Sequence, residues 1–494
     1  MRRRLVPALL LVLSTAAAAP AQTPRVLTLD EALVLAGATS ESVAIAEAAV
    51  ARAEGDRMRA RGLTKPQLSA SASYDRALAS EFSGIFDSAG PPCPPLDIDA
   101  TRPLSDRVAE IERALDCGAI GGFSFGGGEG EDDDGALPFG QANTWRAGLV
   151  FTQGLYSGGR VGAARALATA SYAVAEVGID TARAQLALDV TRTFYDAALA
   201  DRLVTIAEAS HAQADALYAQ TRQLFETGSR PEFELLRAQV ARDNQLPVVI
   251  RARSAREIAY LRLRQLLDLP PGTPLQLEAG LTDPALPPPA PYRAALAARM
   301  EPSEPAEPAT RATVRQAEGA VAVNEASVDL AKAQRMPALS LVSNLQEVAY
   351  PSGIFPSDWR TNWTVGASLT VPILTGDRLA ADIAVAAADL AAARARLQQA
   401  RELSALDAET AKQELIAAEA AWNAGAGTVA QARRAYEIAE LRYREGISTQ
   451  LELADSRLAL ESAEANRAQA ARDVQIARAR IALLPNLPLP LTGR

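Results

Sequence analysis

The 494-residue chain carries 59 acidic against 50 basic side chains, a net charge of −9, and only 5% aromatic residues. The acidic balance argues against nucleic acid as a partner. With one histidine, two cysteines, no metal-ligand spacing and no phosphate loop, neither an enzyme nor a cofactor is expected, and His211 reads as a solvated or packed side chain.

At the N-terminus, Arg2, Arg3 and Arg4 precede the apolar run Leu5 to Leu13 and the small-residue site Ala19-Pro20-Ala21. This is the pattern of a secretory signal peptide over 1–21. A membrane anchor is the other reading, but the run is too short to span. Without those arginines, 47 basic side chains face 59 acidic ones. No cysteine follows the cleavage site to take a lipid, and no later stretch has 18 consecutive apolar residues.

A helical pattern over Leu29 to Leu63 comes next and ends near Pro66. There the period changes: Leu68, Ala70, Ala72 and Tyr74 alternate with Ser69, Ser71 and Ser73, as in a half-covered strand. The stretch 75–143 holds Gly126-Gly127-Gly128, Glu131-Asp132-Asp133-Asp134, Cys93 and Cys117. Such a composition cannot build a core and predicts a solvated outer loop. A secreted chain permits a Cys93–Cys117 disulfide, with two free thiols as the alternative. Trp145, Ala147, Leu149 and Phe151 then alternate more weakly ahead of Ser157-Gly158-Gly159-Arg160.

A long helix is expected over 160–227, stopped by Gly228, which can adopt the left-handed conformation that ends helices. A return helix follows over 231–269, with Pro231 in its opening turn and Pro247 expected to kink it. These elements form a first repeat over 22–269, and a Pro-rich linker spans 270–308. The pattern then returns over 309–485. A half-helix runs Ala309 to Arg335. Leu339 and Leu341 alternate after Pro337, and Trp363, Val365, Ala367, Leu369 and Val371 alternate before Gly376-Asp377-Arg378. A long helix over 378–445 stops at Gly446, a return helix covers 449–484, and 486–494 is a tail.

Gly158 and Gly376 are 218 residues apart, and so are Gly228 and Gly446. Two copies of one supersecondary unit are therefore expected. Each long helix would reach roughly 105 Å, about twice its return arm. The half-helices would cover the rest of its apolar stripe, with the linker near the middle of the column. Leu379, Ile383, Ala386, Leu390, Ala393, Leu397, Ala400 and Ser404 step by 4 and 3 in turn, a coiled-coil seam. The four strands show one apolar and one polar face, which predicts a membrane β-barrel with a wet interior; a soluble sandwich is the alternative. From Pro to Gly the first strand hairpin is 53 residues longer than the second, 66–158 against 337–376.

Strand hairpin, glycine turn, long helix, glycine and return helix, all twice, resembles the TolC family of outer-membrane efflux ducts from about Leu27 to Leu484. The carrying residues are Leu27-Thr28-Leu29-Asp30-Glu31-Ala32-Leu33, Pro66-Gln67-Leu68-Ser69, Pro337-Ala338-Leu339-Ser340, the two glycine turns, and Glu234-Leu235 with Glu452-Leu453 after the tips. The resemblance implies an α plus membrane-β fold. Four strands per protomer close a trimeric twelve-stranded β-barrel in outer-membrane lipid, continued by a long helical coiled-coil barrel in the periplasm. It implies a homotrimer, a periplasmic adaptor (membrane fusion) protein and an inner-membrane pump as partners.

It also places the adaptor at the hairpin tips, Gly228, Ser229, Gly446 and Ile447. Tyr443, Glu452, Asp455 and Glu234 match the family's periplasmic gate and its acidic ring; a solvated helix face is the other reading of Glu452 and Asp455. Two departures stand out. Ser448 replaces the gate arginine of some members, and Gly154 stands where the second copy has Pro372, predicting a looser turn. The implied function is a passive outer-membrane channel in a tripartite efflux system. A duct for type I polypeptide secretion is the alternative. A periplasmic coiled-coil adaptor or structural protein would not need four amphipathic strands.

Overall fold

The computed structural model describes residues 25–79, 94–116, 142–300, 311–351, 353–356 and 358–489. The expected signal peptide, Cys93, Cys117 and the glycine and acidic runs at 126–134 lie outside the described residues. In chain order the elements are β1 (Arg25–Leu27), α1 (Leu29–Thr39), α2 (Glu41–Gly62), β2 (Gln67–Arg76), α3 (Leu104–Asp116), β3 (Asn143–Tyr156), α4 (Arg160–Glu226), α5 (Glu232–Leu266) and β4 (Leu275–Leu277). A 3-10 turn (Ala290–Tyr292), α6 (Arg293–Met300), α7 (Ala312–Ala333), β5 (Ala338–Ala349), β6 (Arg360–Thr370), α8 (Arg378–Arg444) and α9 (Gln450–Leu483) complete it. The backbone divides into two compact units, one holding the chain up to Ala60, Gly162–Ala331 and the part from Ala380 onward, the other Arg61–Val161 and Lys332–Leu379.

In the helical unit the chain enters α1 through a reciprocal cap. The Thr28 hydroxyl accepts from the Glu31 amide at 3.3 Å, and the Glu31 carboxylate accepts from the Thr28 amide at 3.2 Å. The single helix expected over Leu29 to Leu63 is instead two, bent by 45°. Ser40 has extended backbone at the break, and its carbonyl accepts from the Ala44 amide at 3.1 Å as α2 begins. Pro247 lies inside α5 without ending it. No single helix among the described residues is long and apolar enough to cross a membrane.

The linker has structure of its own. Leu275–Leu277 pairs in parallel with Arg25–Leu27, and the Tyr292 hydroxyl lies 2.7 Å from Thr191 Oγ1, midway along α4. Around this point Val190, Phe194, Tyr260, Leu263, Leu286, Tyr292 and Val474 form the main core. Each large apolar side chain buried there contributes about 1.5–3 kcal/mol. Two side chains of α9 tie down the linker backbone: Gln475 donates to the Pro287 carbonyl at 2.8 Å and Arg478 to that of Leu286 at 2.6 Å. The α8 seam from Leu379 to Ser404 is the covered face of its helix: Leu379, Ala393, Ala400 and Ser404 are buried and the four seam residues between them partly so.

The second unit centres on one four-stranded antiparallel sheet in the order β2-β3-β5-β6. Register places Ala70, Leu149, Leu345 and Trp363 in one row, and Leu68, Phe151, Ser343 and Val365 in the next. The opposite face carries Ser71, Ser73, Thr144, Arg146, Asn344, Gln346, Asn362 and Thr364, with Arg146 paired to Asp75 at 2.5 Å. Alternation along each strand thus becomes one apolar and one polar sheet face. Glu347 interrupts the apolar face and accepts from the Thr361 hydroxyl at 2.5 Å. Strands β2 and β6 form the two outer edges.

At the Gly154 position the chain is still in strand. Gly154 pairs with Ser340 inside β3, and a bulge at Leu155 carries the strand on to Tyr156. In the second copy β6 stops at Thr370, ahead of Pro372, which has no amide to donate to a ladder. Both turns into the long helices use positive φ at two successive residues, 61° and 88° at Gly158 and Gly159, 54° and 60° at Gly376 and Asp377. At Gly158 a Cβ would lie 2.2 Å from Met336 Cβ, so glycine is required twice over.

Within the stretch expected as a solvated loop, the described residues include a helix. Leu104–Asp116 forms an amphipathic helix, α3, in which Ala114 is fully buried. Its Glu110 carboxylate accepts from Arg113 Nε at 2.8 Å and from the Asp97 amide at 3.4 Å. The Arg113 bond is the main reason its pKa falls from the ordinary 4.5 to about 2.

Candidate functional site at the hairpin tips

Both tips close with the same hydrogen-bonded cap. The Ser229 amide donates to the Leu224 carbonyl at 2.8 Å and the Gly228 amide to that of Phe225 at 2.8 Å. In the second copy Ile447 donates to Arg442 at 2.8 Å and Gly446 to Tyr443 at 3.1 Å. This is the Schellman arrangement, which needs the left-handed conformation that Gly228 (φ 76°) and Gly446 (φ 72°) supply. Ser229 is exposed, and Ile447 is 69% exposed with Phe233 and Leu451 also open to solvent.

Tyr443 joins the two hairpins. Its side chain is 2% exposed and packs with Ala439 and Leu453, against Leu217 and Tyr436. Its hydroxyl lies 3.3 Å from Thr221 Oγ1 on α4. The Arg230 guanidinium sits 5.2 Å from its ring centroid and pairs with Glu234 at 2.9 Å. Among the sequence-predicted residues, Tyr443 and Glu234 are thereby linked through Arg230. Burial raises the pKa of the neighbouring Tyr436 hydroxyl, and Glu440 adds to the effect.

Glu452 has a separate partner. Thr449 caps α9, accepting from the Glu452 amide at 3.3 Å, while the Ser448 hydroxyl donates to the Glu452 carboxylate. Asp455 lies one turn further on, exposed on the helix surface like Glu452. Within one chain the two carboxylates therefore share an exposed side of α9, apart from the Tyr443 contact.

Two residues of this site were not predicted. Arg230 stands 218 positions before Ser448, as Glu234 does before Glu452, so the cation expected at Ser448 is present in the other copy. The repeat offset was the signal that could have found it. Thr221 carried no such signal, because its role depends on which turn of α4 faces Tyr443.

The family model for the outer membrane efflux protein matches residues 122–268 and 308–486. The nodulation protein T of Rhizobium leguminosarum bv. viciae is 26% identical over 314 residues, 61% of each chain, so the match spans less than two thirds of that relative. Three solved structures share the fold. CusC aligns with TM-score 0.68 at 16% identity, over 92% of this chain and 91% of its own. The outer membrane protein VceC from Vibrio cholerae gives 0.66 at 17%, over 92% and 96%. The open state of the MtrE outer membrane channel from Neisseria gonorrhoeae gives 0.63 at 19%, over 94% and 91%. With two thirds of its length matched by the family model, the chain belongs to the outer membrane efflux protein family.

Proposed function

We propose that three copies of this chain form the outer-membrane channel of a tripartite efflux system. The channel passively conducts substrates received from an inner-membrane pump through a periplasmic adaptor. The observation that carries this reading is the sheet. It has one apolar face, one polar face and two open edges, β2 and β6. An open edge in lipid leaves backbone groups without partners, each at a cost of several kcal/mol, so a four-stranded sheet cannot sit there alone. Three sheets joined edge to edge close twelve strands, with the apolar face toward lipid and the polar face toward water.

The hairpin tips support the second half of the proposal. Exposed Phe233, Ile447 and Leu451 beside the two glycine caps offer apolar contact to an adaptor. Tyr443, Arg230 and Glu234 hold the two hairpins together as the closed gate, and Glu452 with Asp455, in three copies, forms its acidic ring.

Membrane fractionation and native mass measurement in detergent test this assignment. A trimer extracted from the outer membrane is expected; a soluble periplasmic monomer contradicts it. Photo-cross-linking from Ser229→Cys and Ile447→Cys should capture the adaptor, and capture confined to labels in the 75–143 loop would reverse the orientation.

A further inference from the structure

A cavity of about 160 Å³ lies behind the tips, walled by α4, α5, α8 and α9. Its lining is unusually cationic. Arg237, Arg444 and Arg457 all face it, against one carboxylate, Glu440, which pairs with Arg444 at 2.6 Å. Glu461, beside Arg457 on α9, already accepts from Ser210 at 2.8 Å. Among the described residues the Arg237 and Arg457 side chains make no hydrogen bond or ion pair, and the Arg457 Nε is buried without a partner. Burial lowers the Arg457 pKa, the sign of a desolvated cation, and Glu461 only partly offsets this.

Gln450 supplies a second, independent observation. It is the first residue of the 34-residue helix α9, is 6% exposed, and lines the cavity with both its Nε2 and Oε1 unpartnered. A buried amide left without partners costs about 1–3 kcal/mol. The amide, the two free guanidinium groups and the positive end of a long helix converge on one space large enough for several waters. Neutral occupants leave the excess positive charge uncompensated, and a metal cation would add to it.

We infer that this cavity binds a small oxyanion, such as phosphate or sulfate. The anion accepts from Arg237 and Arg457 and from the Gln450 Nε2, and the helix N-terminus adds to its stabilisation. Because these groups come from α5 and α9, one on each hairpin, occupancy ties the hairpins together behind Tyr443. The site rests on the geometry of one chain and not on the channel reading, so anion uptake and conductance fail independently.

Equilibrium dialysis of radiolabelled phosphate against the detergent-extracted full chain tests this. Saturable uptake of one phosphate per protomer is expected, displaced by sulfate. Loss of one charge-assisted hydrogen bond lowers affinity at least about tenfold, so Arg457→Gln and Arg237→Gln should each do so. Arg237 is the safeguard if Arg457→Gln fails to fold, since only Arg457 has a side-chain nitrogen buried without a partner. No saturable uptake by the wild-type chain overturns the inference, including the case where a side chain of another copy already fills the cavity. So does uptake unchanged in both Arg237→Gln and Gln450→Leu.

Discussion

Arg230 and Ser448 occupy the same position in the two copies, 218 residues apart, and each contacts the acid four residues further on. Arg230 pairs with Glu234 at 2.9 Å, and Ser448 donates to Glu452. The tips are thus alike in backbone and differ in charge: one acid is neutralised by a cation and the other is left anionic. Only the neutralised side reaches across to Tyr443.

This asymmetry predicts which substitution loosens the tips. A guanidinium over an aromatic ring contributes about 0.5–2 kcal/mol. Arg230→Ala should therefore raise the open population roughly two- to thirtyfold, read as longer open dwell times in single-channel recordings. Tyr443→Phe, which loses only the Thr221 contact, should act in the same direction with a smaller effect. Unchanged dwell times in Arg230→Ala would remove Arg230 from the gate.

The anionic side predicts a cation effect. In the proposed trimer, three copies of Glu452 and Asp455 would create a local field that concentrates multivalent cations. Glu452→Ala with Asp455→Ala should weaken current block by a trivalent hexammine cation, and Ser448→Arg should do so in part by neutralising Glu452. Block that is the same in all three would refute the ring assignment.

A buried ion pair predicts a stability effect away from the tips. Arg311 and Asp407, 5% and 6% exposed, pair at 2.8 Å, and Arg480 meets the other Asp407 oxygen at 2.7 Å. Arg311 also donates to the Ser404 carbonyl at 3.0 Å. Asp407→Ala leaves Arg311 buried and unpaired, a loss of about 3–5 kcal/mol. Denaturant unfolding of the extracted protein should register it, while Arg394→Ala, at an exposed pair, should cost under about 1 kcal/mol.

The segment holding α3 should have its own pH dependence. Glu110 is held at about 2 against an ordinary 4.5. A depressed carboxylate pKa stabilises the fold above the unfolded value, and that contribution is lost as pH falls through the folded one. The anchoring of α3 should therefore weaken between about pH 4.5 and about pH 2. Pepsin nicking of the loop, measured relative to Glu110→Gln at each pH, should rise in the wild type across that window. A constant ratio would place the anchor elsewhere.

Much of the fold was legible because it is periodic. The alternation around Trp363 and Leu68 and the 4-3 seam after Arg378 each span enough residues for the pattern to exceed noise. The glycines at 158, 228, 376 and 446 do take positive φ. What escaped was short or averaged away. Leu275–Leu277 is three residues long and becomes a strand only by pairing with Arg25–Leu27. The break at Ser40 is a single residue of extended backbone. In α3, Leu104, Val108, Ile111 and Leu115 follow a helical spacing that the glycine and acidic runs beside it obscured. At the tips Tyr443 and Glu234 were readable through resemblance and Arg230 through the repeat, whereas Thr221 required three-dimensional contact.

Planar-bilayer recording of the outer-membrane-extracted protein decides whether it forms a channel. A closed twelve-stranded barrel with a wet interior predicts discrete, stable conductance steps, with dwell times lengthened by Arg230→Ala. Protein that incorporates as a trimer yet gives no discrete steps in either form would contradict the channel.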